Sequence, residues 1–239
     1  MIEILPAILA KTSNDYHHKL KTVEPFTQWV QIDIVDNVYA RNQTIDAKVV
    51  SSIRTKCKLE IQLMVERIEN WIDPFIKIRP HRIIVPIESA REPLLLVRHL
   101  KQHQIPFGFS LEPHTSVEIL QHLVDKIDVA LLLAVNPGFS GQHFYHGVLD
   151  KIRKLRAMRP DLPIEIDGGI EPDTAKKCAQ VGATILASGS FVFDHPSGSH
   201  DASAAENDKI EGATYSEKVR NSIEALKESV ENIIPESAV

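Results

Sequence analysis

Cysteine is scarce: Cys57 and Cys178 are the only two in 239 residues. They lie far apart and without metal-type spacing, so neither a thiolate metal site nor a disulfide framework is written into the chain. Two reduced thiols in a reducing compartment are expected, with a disulfide between them as the alternative. Basic charge is not in excess either. Lys and Arg number 27 against 32 Asp and Glu, a formal net charge of −5, which leaves no footprint for nucleic acid or an anionic membrane surface. No apolar run reaches the ~18 residues a membrane helix needs. The opening Glu3-Ile4-Leu5-Pro6-Ala7-Ile8-Leu9 has neither a basic n-region nor a cleavage site. These absences point to the cytosol. The glycine fingerprint of a dinucleotide-binding first turn is missing as well.

What is present is a repeating order of elements. Glu3–Leu9, Trp29–Ile34, Lys58–Met64, Arg82–Pro86, Pro106–Leu111, Asp128–Ala134, Pro163–Ile166 and Ala183–Ala187 each read as a short strand rich in Ile, Val and Leu. Asp128–Ala134 has no alternation, as expected of a strand buried on both faces. Between the strands the apolar spacing widens: Val148, Ile152 and Leu155 fall on one helical face, and Thr174–Val181 and Ser216–Ile233 read the same way. Eight strands alternating with helices make either a closed barrel or an open doubly wound sheet. Without the glycine fingerprint, the reading is an α/β fold, a (β/α)₈ barrel of ribulose-phosphate-binding type, with residues 1–239 as one domain. The stretch 194–215 breaks the rhythm. It is polar, small and aperiodic, and is expected to be a flexible surface insertion; a lid over the site is the sharper alternative.

A barrel carries its chemistry at the C-terminal strand ends. Those ends present Asp33 and Asp36, then Gln62 and Met64, then Asn136–Gln142, Asp167-Gly168-Gly169 and Ser188-Gly189-Ser190. Glycines here let backbone N–H groups approach an anion, and loops after the last strands are where barrels hold phosphate. The plainer alternative is that they only make tight turns. The expected cradle comprises Gly138, Phe139, Ser140, Gly141, Gly168, Gly169, Gly189 and Ser190. Asp33 and Asp167, ending strands two and seven, are placed to move protons on opposite faces of a substrate carbon. The histidines show no such pattern. His99 and His103 sit one turn apart but lack a zinc-protease context, and read as a solvated helix face.

At these residues the sequence resembles the ribulose-phosphate 3-epimerase family, from about Ile4 to Phe193. Ala134-Val-Asn-Pro-Gly-Phe-Ser-Gly-Gln142 matches a phosphate-side loop of that family. Glu165-Ile-Asp-Gly-Gly-Ile170 with Pro172-Asp173-Thr174-Ala175 matches a second block, and Ala187-Ser-Gly-Ser190 with Phe193 a third. The resemblance implies C3 epimerisation of ketopentose phosphates by two Asp, here Asp33 and Asp167. It implies a divalent metal held by those Asp and two His, a small phosphorylated sugar as partner, and a homodimer. The two His positions fall on Gln31 and Gln62, the usual Ser near the N-terminus is Ala7, and Val35 and Asn37 replace a Met and a Gly. A carboxamide oxygen is a weak, neutral ligand beside imidazole, which puts the metal in doubt. Two functions stay open: an epimerase, weakened or metal-independent, and a non-catalytic phosphosugar-binding protein on the same barrel. A related decarboxylase would carry Asp-x-Lys, whereas Asp33 is followed by Ile34 and Val35.

Overall fold

Val129–Leu133 is Val-Ala-Leu-Leu-Leu, and all five side chains are buried. A strand covered on both faces needs helices outside and a filled interior within, which is the environment of a barrel wall. The structure, a computed structural model, describes residues 2–139, 141–194 and 214–236. Eight parallel strands close in chain order: β1 (Glu3–Leu9), β2 (Trp29–Val35), β3 (Lys58–Met64), β4 (Arg82–Pro86), β5 (Phe107–Leu111), β6 (Val129–Leu133), β7 (Ile164–Asp167) and β8 (Ile185–Ser188). β8 returns to pair with β1, Pro6 opposite Ser188. Each expected strand is found: β1, β3 and β4 with the expected bounds, the other five with ends shifted by one or two residues.

The helices are α1 (Ser13–Val23), α2 (Ala47–Ser52), α3 (Ile68–Ile78), α4 (Pro93–Gln102), α5 (Val148–Met158), α6 (Pro172–Gln180), α7 (Ser190–Phe193) and α8 (Tyr215–Ser229). Val148, Ile152 and Leu155 are buried together on α5, as their spacing requires. Between β5 and β6 the crossover is two 3₁₀ turns, Val117–Leu120 and Val124–Lys126, rather than an α-helix. The expected insertion is two residues too long at its C-terminal end. Thr214 caps α8, its hydroxyl accepting from Glu217 N–H while the Glu217 carboxylate returns the bond, and Tyr215 is the first helical residue. Residues 195–213, on which the expectations of a surface loop and a lid fall, lie outside the described residues. Cys57 and Cys178 are both buried free thiols. Among the described residues no helix is long and apolar enough to cross a membrane.

The barrel interior is divided. On one side Leu5, Ala7, Ile84, Leu131, Leu133 and Ala187 form an apolar cluster. On the other, β2, β3, β4 and β7 contribute Gln31, Asp33, Glu60, Gln62, Arg82 and Glu165, all buried. Arg82 on β4 reaches Glu165 on β7 as well as Glu60 on β3, a span that crosses the interior. A polar column therefore rises through the barrel toward the strand ends.

Candidate active site at the barrel mouth

Three loops and residues from five strands define a pocket at the C-terminal mouth. Asp33 and Asp167 stand at its base with Ala7, Leu9, Met64 and Leu133. The rim comes from Asn136–Phe139, Gly141 and Gln142 after β6, Gly168 and Gly169 after β7, and Gly189 and Ser190 after β8. Of the cradle expected from sequence, only Ser140 lies outside the described residues; the others line this one pocket. Asp36 does not join them. Its carboxylate accepts from the N–H groups of Val38, Tyr39 and Glu66 and so shapes the loop after β2. Asn37 in that loop has φ 62, a left-handed conformation that Asn tolerates better than other side chains with a Cβ.

Local bonding sets each wall. Thr44 accepts from Val35 N–H at 2.8 Å and donates to Asp33 O at 2.9 Å, which fixes the end of β2. Gly138 has φ 101, and a Cβ there would lie inside the van der Waals shell of Ala40 Cβ. Asn42 Nδ2 donates to Gly138 O at 2.6 Å. Gly168 also has φ 101, and a Cβ there would collide with Val135. Thr174 in the first turn of α6 donates to Gly169 O at 2.7 Å, and Ser188 donates to Ile170 O at 2.8 Å, bolting the loop after β7 to its neighbours. Backbone N–H groups in such left-handed turns can converge on an anion.

The two carboxyl groups meet through amides. Gln31 Nε2 donates to Asp33 Oδ1 at 2.8 Å and to Asp167 Oδ2 at 3.2 Å, and it also contacts Gln62 Oε1. Burial pushes both carboxyls up from the ordinary carboxylate range. Asp33 is raised well above it, the Asp167 charge adding to the burial. Asp167 is pushed up to about 6 by burial, against the lowering effect of the Gln31 and Gln62 amides. Neighbouring carboxyls of raised pKa are the kind of groups that serve as general acid and general base.

The metal implied by the sequence resemblance does not fit these residues. The convergent set is two carboxylates and two neutral carboxamides, with no imidazole. Of the two touching amides one presents a nitrogen bearing two hydrogens, which is a donor and not a ligand, and the other presents a single neutral carboxamide oxygen, a weak ligand beside imidazole. Among the described residues no group of three or more His, Cys, Asp or Glu could hold a metal ion.

Sequence reasoning passed over the lower layer of the interior. Glu60 and Glu165 flank Arg82, whose guanidinium carbon lies 4.8 Å from the centre of the Trp29 ring. The signal was polar residues at every second position of β2, β3 and β7, in strands otherwise sheathed by helices.

Comparison with known proteins accords with this geometry. The family model described as "Ribulose-phosphate 3 epimerase family" matches residues 3–193. The ribulose-phosphate 3-epimerase of Bacillus subtilis is 33% identical over 201 residues, covering 81% of this chain and 93% of the relative. That of Synechocystis is 32% identical over 87% of this chain and 94% of the relative. Among solved structures, 3-keto-L-gulonate-6-phosphate decarboxylase from Vibrio cholerae aligns with a TM-score of 0.66 at 15% identity, covering 98% of this chain and 99% of that one. At that identity the likeness concerns the fold alone.

Proposed function

Because the chain belongs to the ribulose-phosphate 3-epimerase family, we propose that it interconverts ketopentose phosphates at C3 by proton transfer between Asp33 and Asp167. In this reading the phosphate sits against Gly138, Phe139, Ser140, Gly141, Gly168, Gly169, Gly189 and Ser190. The C3–H bond then lies over the two carboxyl groups at the pocket base. The ionised carboxylate takes the C3 proton, and the C–H electron pair moves into an enediolate with the adjacent carbonyl. The protonated carboxyl returns a proton to C3 from the other face. One proton leaves the sugar and one enters it, and the two Asp exchange roles.

The observation that carries the reading is the Asp33–Asp167 pair itself: two carboxyls, near the end of β2 and at the end of β7, both raised in pKa and linked through the Gln31 amide. No step is routed through a metal, since the residues present do not suit one. The test is proton exchange at C3 of ribulose 5-phosphate in D₂O, followed by NMR together with appearance of the C3 epimer. Asp33→Asn and Asp167→Asn should each slow exchange by about 10²–10⁴-fold, the usual worth of a positioned acid or base, while leaving pentulose phosphate binding intact. Binding without exchange in the natural protein would instead favour a non-catalytic phosphosugar-binding role. Absence of both would refute the assignment of the site.

A further inference from the structure

Gln31 and Gln62 are fully buried and lie just below the carboxyl pair, outside the pocket lining. Gln31 precedes Asp33 by two residues on β2, and Gln62 on β3 is in register with Asp33. The inner atom of Gln31 contacts Asp33, Asp167 and Gln62. The inner atom of Gln62 lies 2.9 Å from Asp33 Oδ1 and 2.9 Å from Asp167 Oδ2. An amide nitrogen and oxygen exchange places by a half-turn. The two inner atoms are in direct contact, so two nitrogens would oppose their hydrogens and two oxygens their lone pairs. One amide must turn its nitrogen inward and the other its oxygen. Either way, the carboxyl pair faces one donor and one acceptor, and each of these reaches both carboxyls.

An acceptor oxygen beside two carboxyl oxygens is favourable only when one of them carries a proton to give it. A donor beside the same pair is best used by the carboxylate that has none. We infer that Gln31 and Gln62 are positioning residues, a coupled amide brace that supports the Asp33–Asp167 pair equally in either of its two acid–base arrangements. The inference rests on the two-Asp reading, because epimerisation is the reaction that exchanges those arrangements at each turnover. With the Gln31 inner atom 2.8 and 3.2 Å from the two carboxyls and the Gln62 inner atom 2.9 Å from each, the pair needs no rebuilding when the proton changes sides. A neutral brace thus stands where the family resemblance places a cation.

Gln31→Met and Gln62→Met keep side-chain length and remove the amide. Either should lower kcat by about 100-fold or more while KM for ribulose 5-phosphate stays within about threefold, because the phosphate cradle is untouched. In the natural protein, labelled with ¹⁵N, the Gln31 and Gln62 side-chain amide protons should be protected from solvent exchange and shift when ribulose 5-phosphate is added. Calorimetric titration of the dialysed protein with Mn²⁺ or Zn²⁺ should show no stoichiometric binding. Natural kcat in a folded Met variant, freely exchanging amide protons, or one metal ion bound per chain would each overturn the brace. Protected amides in a natural protein that never exchanges C3–H would sink the epimerase reading and, with it, the role of the brace in exchanging the two arrangements. Turnover with unprotected amides would sink the brace alone.

Discussion

Removal of Arg82, the one cation inside the barrel among the described residues, is the sharpest test of how its interior is built. Arg82 is 8% exposed, and its partners Glu60 and Glu165 are fully buried. The guanidinium donates to Glu60 Oε2 and reaches Glu165 Oε2 at 3.4 Å. Two carboxylates would leave this unit with an unbalanced charge, yet Glu165 is held well above the carboxylate range, by burial first and by the Glu60 charge second. Glu60 Oε1 and Glu165 Oε1 are both buried without a bonding partner. A proton on Glu165, bonded toward Glu60, makes the unit neutral. Arg82→Met then strands the Glu60 charge, at a cost of about 3–5 kcal/mol for breaking a buried pair. At roughly 2–4 °C per kcal/mol for a chain of this size, the melting temperature falls by roughly 6–20 °C. Adding Glu60→Gln should recover most of that loss, because no buried charge remains, whereas Glu165→Gln alone should cost no more than ~1 kcal/mol, the usual net worth of one hydrogen bond. Thermal and urea unfolding of the four proteins at pH 7 by circular dichroism measure these differences. A loss below ~1 kcal/mol in Arg82→Met, or a loss in Glu165→Gln equal to it, would refute this account, since an uncompensated buried charge cannot be that cheap. The sign with pH follows. Glu165 has a higher pKa folded than unfolded, so its contribution is full below the unfolded value and is lost as pH rises through the folded one. Glu165→Gln should flatten that alkaline decline.

Turnover should fall on the acid side as pH drops through about 6, where Asp167 gains its proton and the pair has no base left; a rate constant flat to well below that pH contradicts the pairing. Gly168→Ala should weaken pentulose phosphate binding and cost about 1–3 kcal/mol or more of stability, from a left-handed φ of 101 compounded by collision with Val135. Gly141→Ala, at φ 76 with nothing near its Cβ, should cost only the backbone strain; equal losses in the two variants would show that packing at 168 does not matter. Tyr39→Phe removes the 2.6 Å bond from the phenol to Glu112 and should lower stability by about 1.5–3 kcal/mol, the range for hydrogen bonds to charged groups. Unchanged unfolding would mean that the loop after β2 is held by other contacts.

The fold was legible because barrel strands are sheathed on both sides. Runs such as Val-Ala-Leu-Leu-Leu in β6 leave few alternatives once helical segments alternate with them. The region after β5 was less legible: the short apolar groups at Val117, Leu120 and Val124 bury as 3₁₀ turns, without the length for an amphipathic helix. The mouth glycines and the two Asp were readable from their places at strand ends. Asp36 was not separable from Asp33 by sequence, since only the structure shows its carboxylate committed to backbone N–H groups. Gln31 and Gln62 stood out only as missing histidines. Their coupling depends on strand register and on a crossing to β7, and neither is encoded in local pattern. The Glu60–Arg82–Glu165 unit was hidden for the same reason: three ionisable side chains far apart in sequence meet only when the sheet closes.

Ala40 and Gly138 share one methyl-sized space, and Asn42 pins the same backbone from the side. Volume at the rim is therefore a joint property of two loops that are almost one hundred residues apart in the chain. A library meant to retune the mouth for another sugar would fail if it varied either position singly: a larger residue at 40 evicts the loop at 138, and any side chain at 138 evicts Ala40. Varying 40 and 138 as a pair, with glycine permitted at both and Asn42 held, would let the rim move as a unit and keep its hinge to β2.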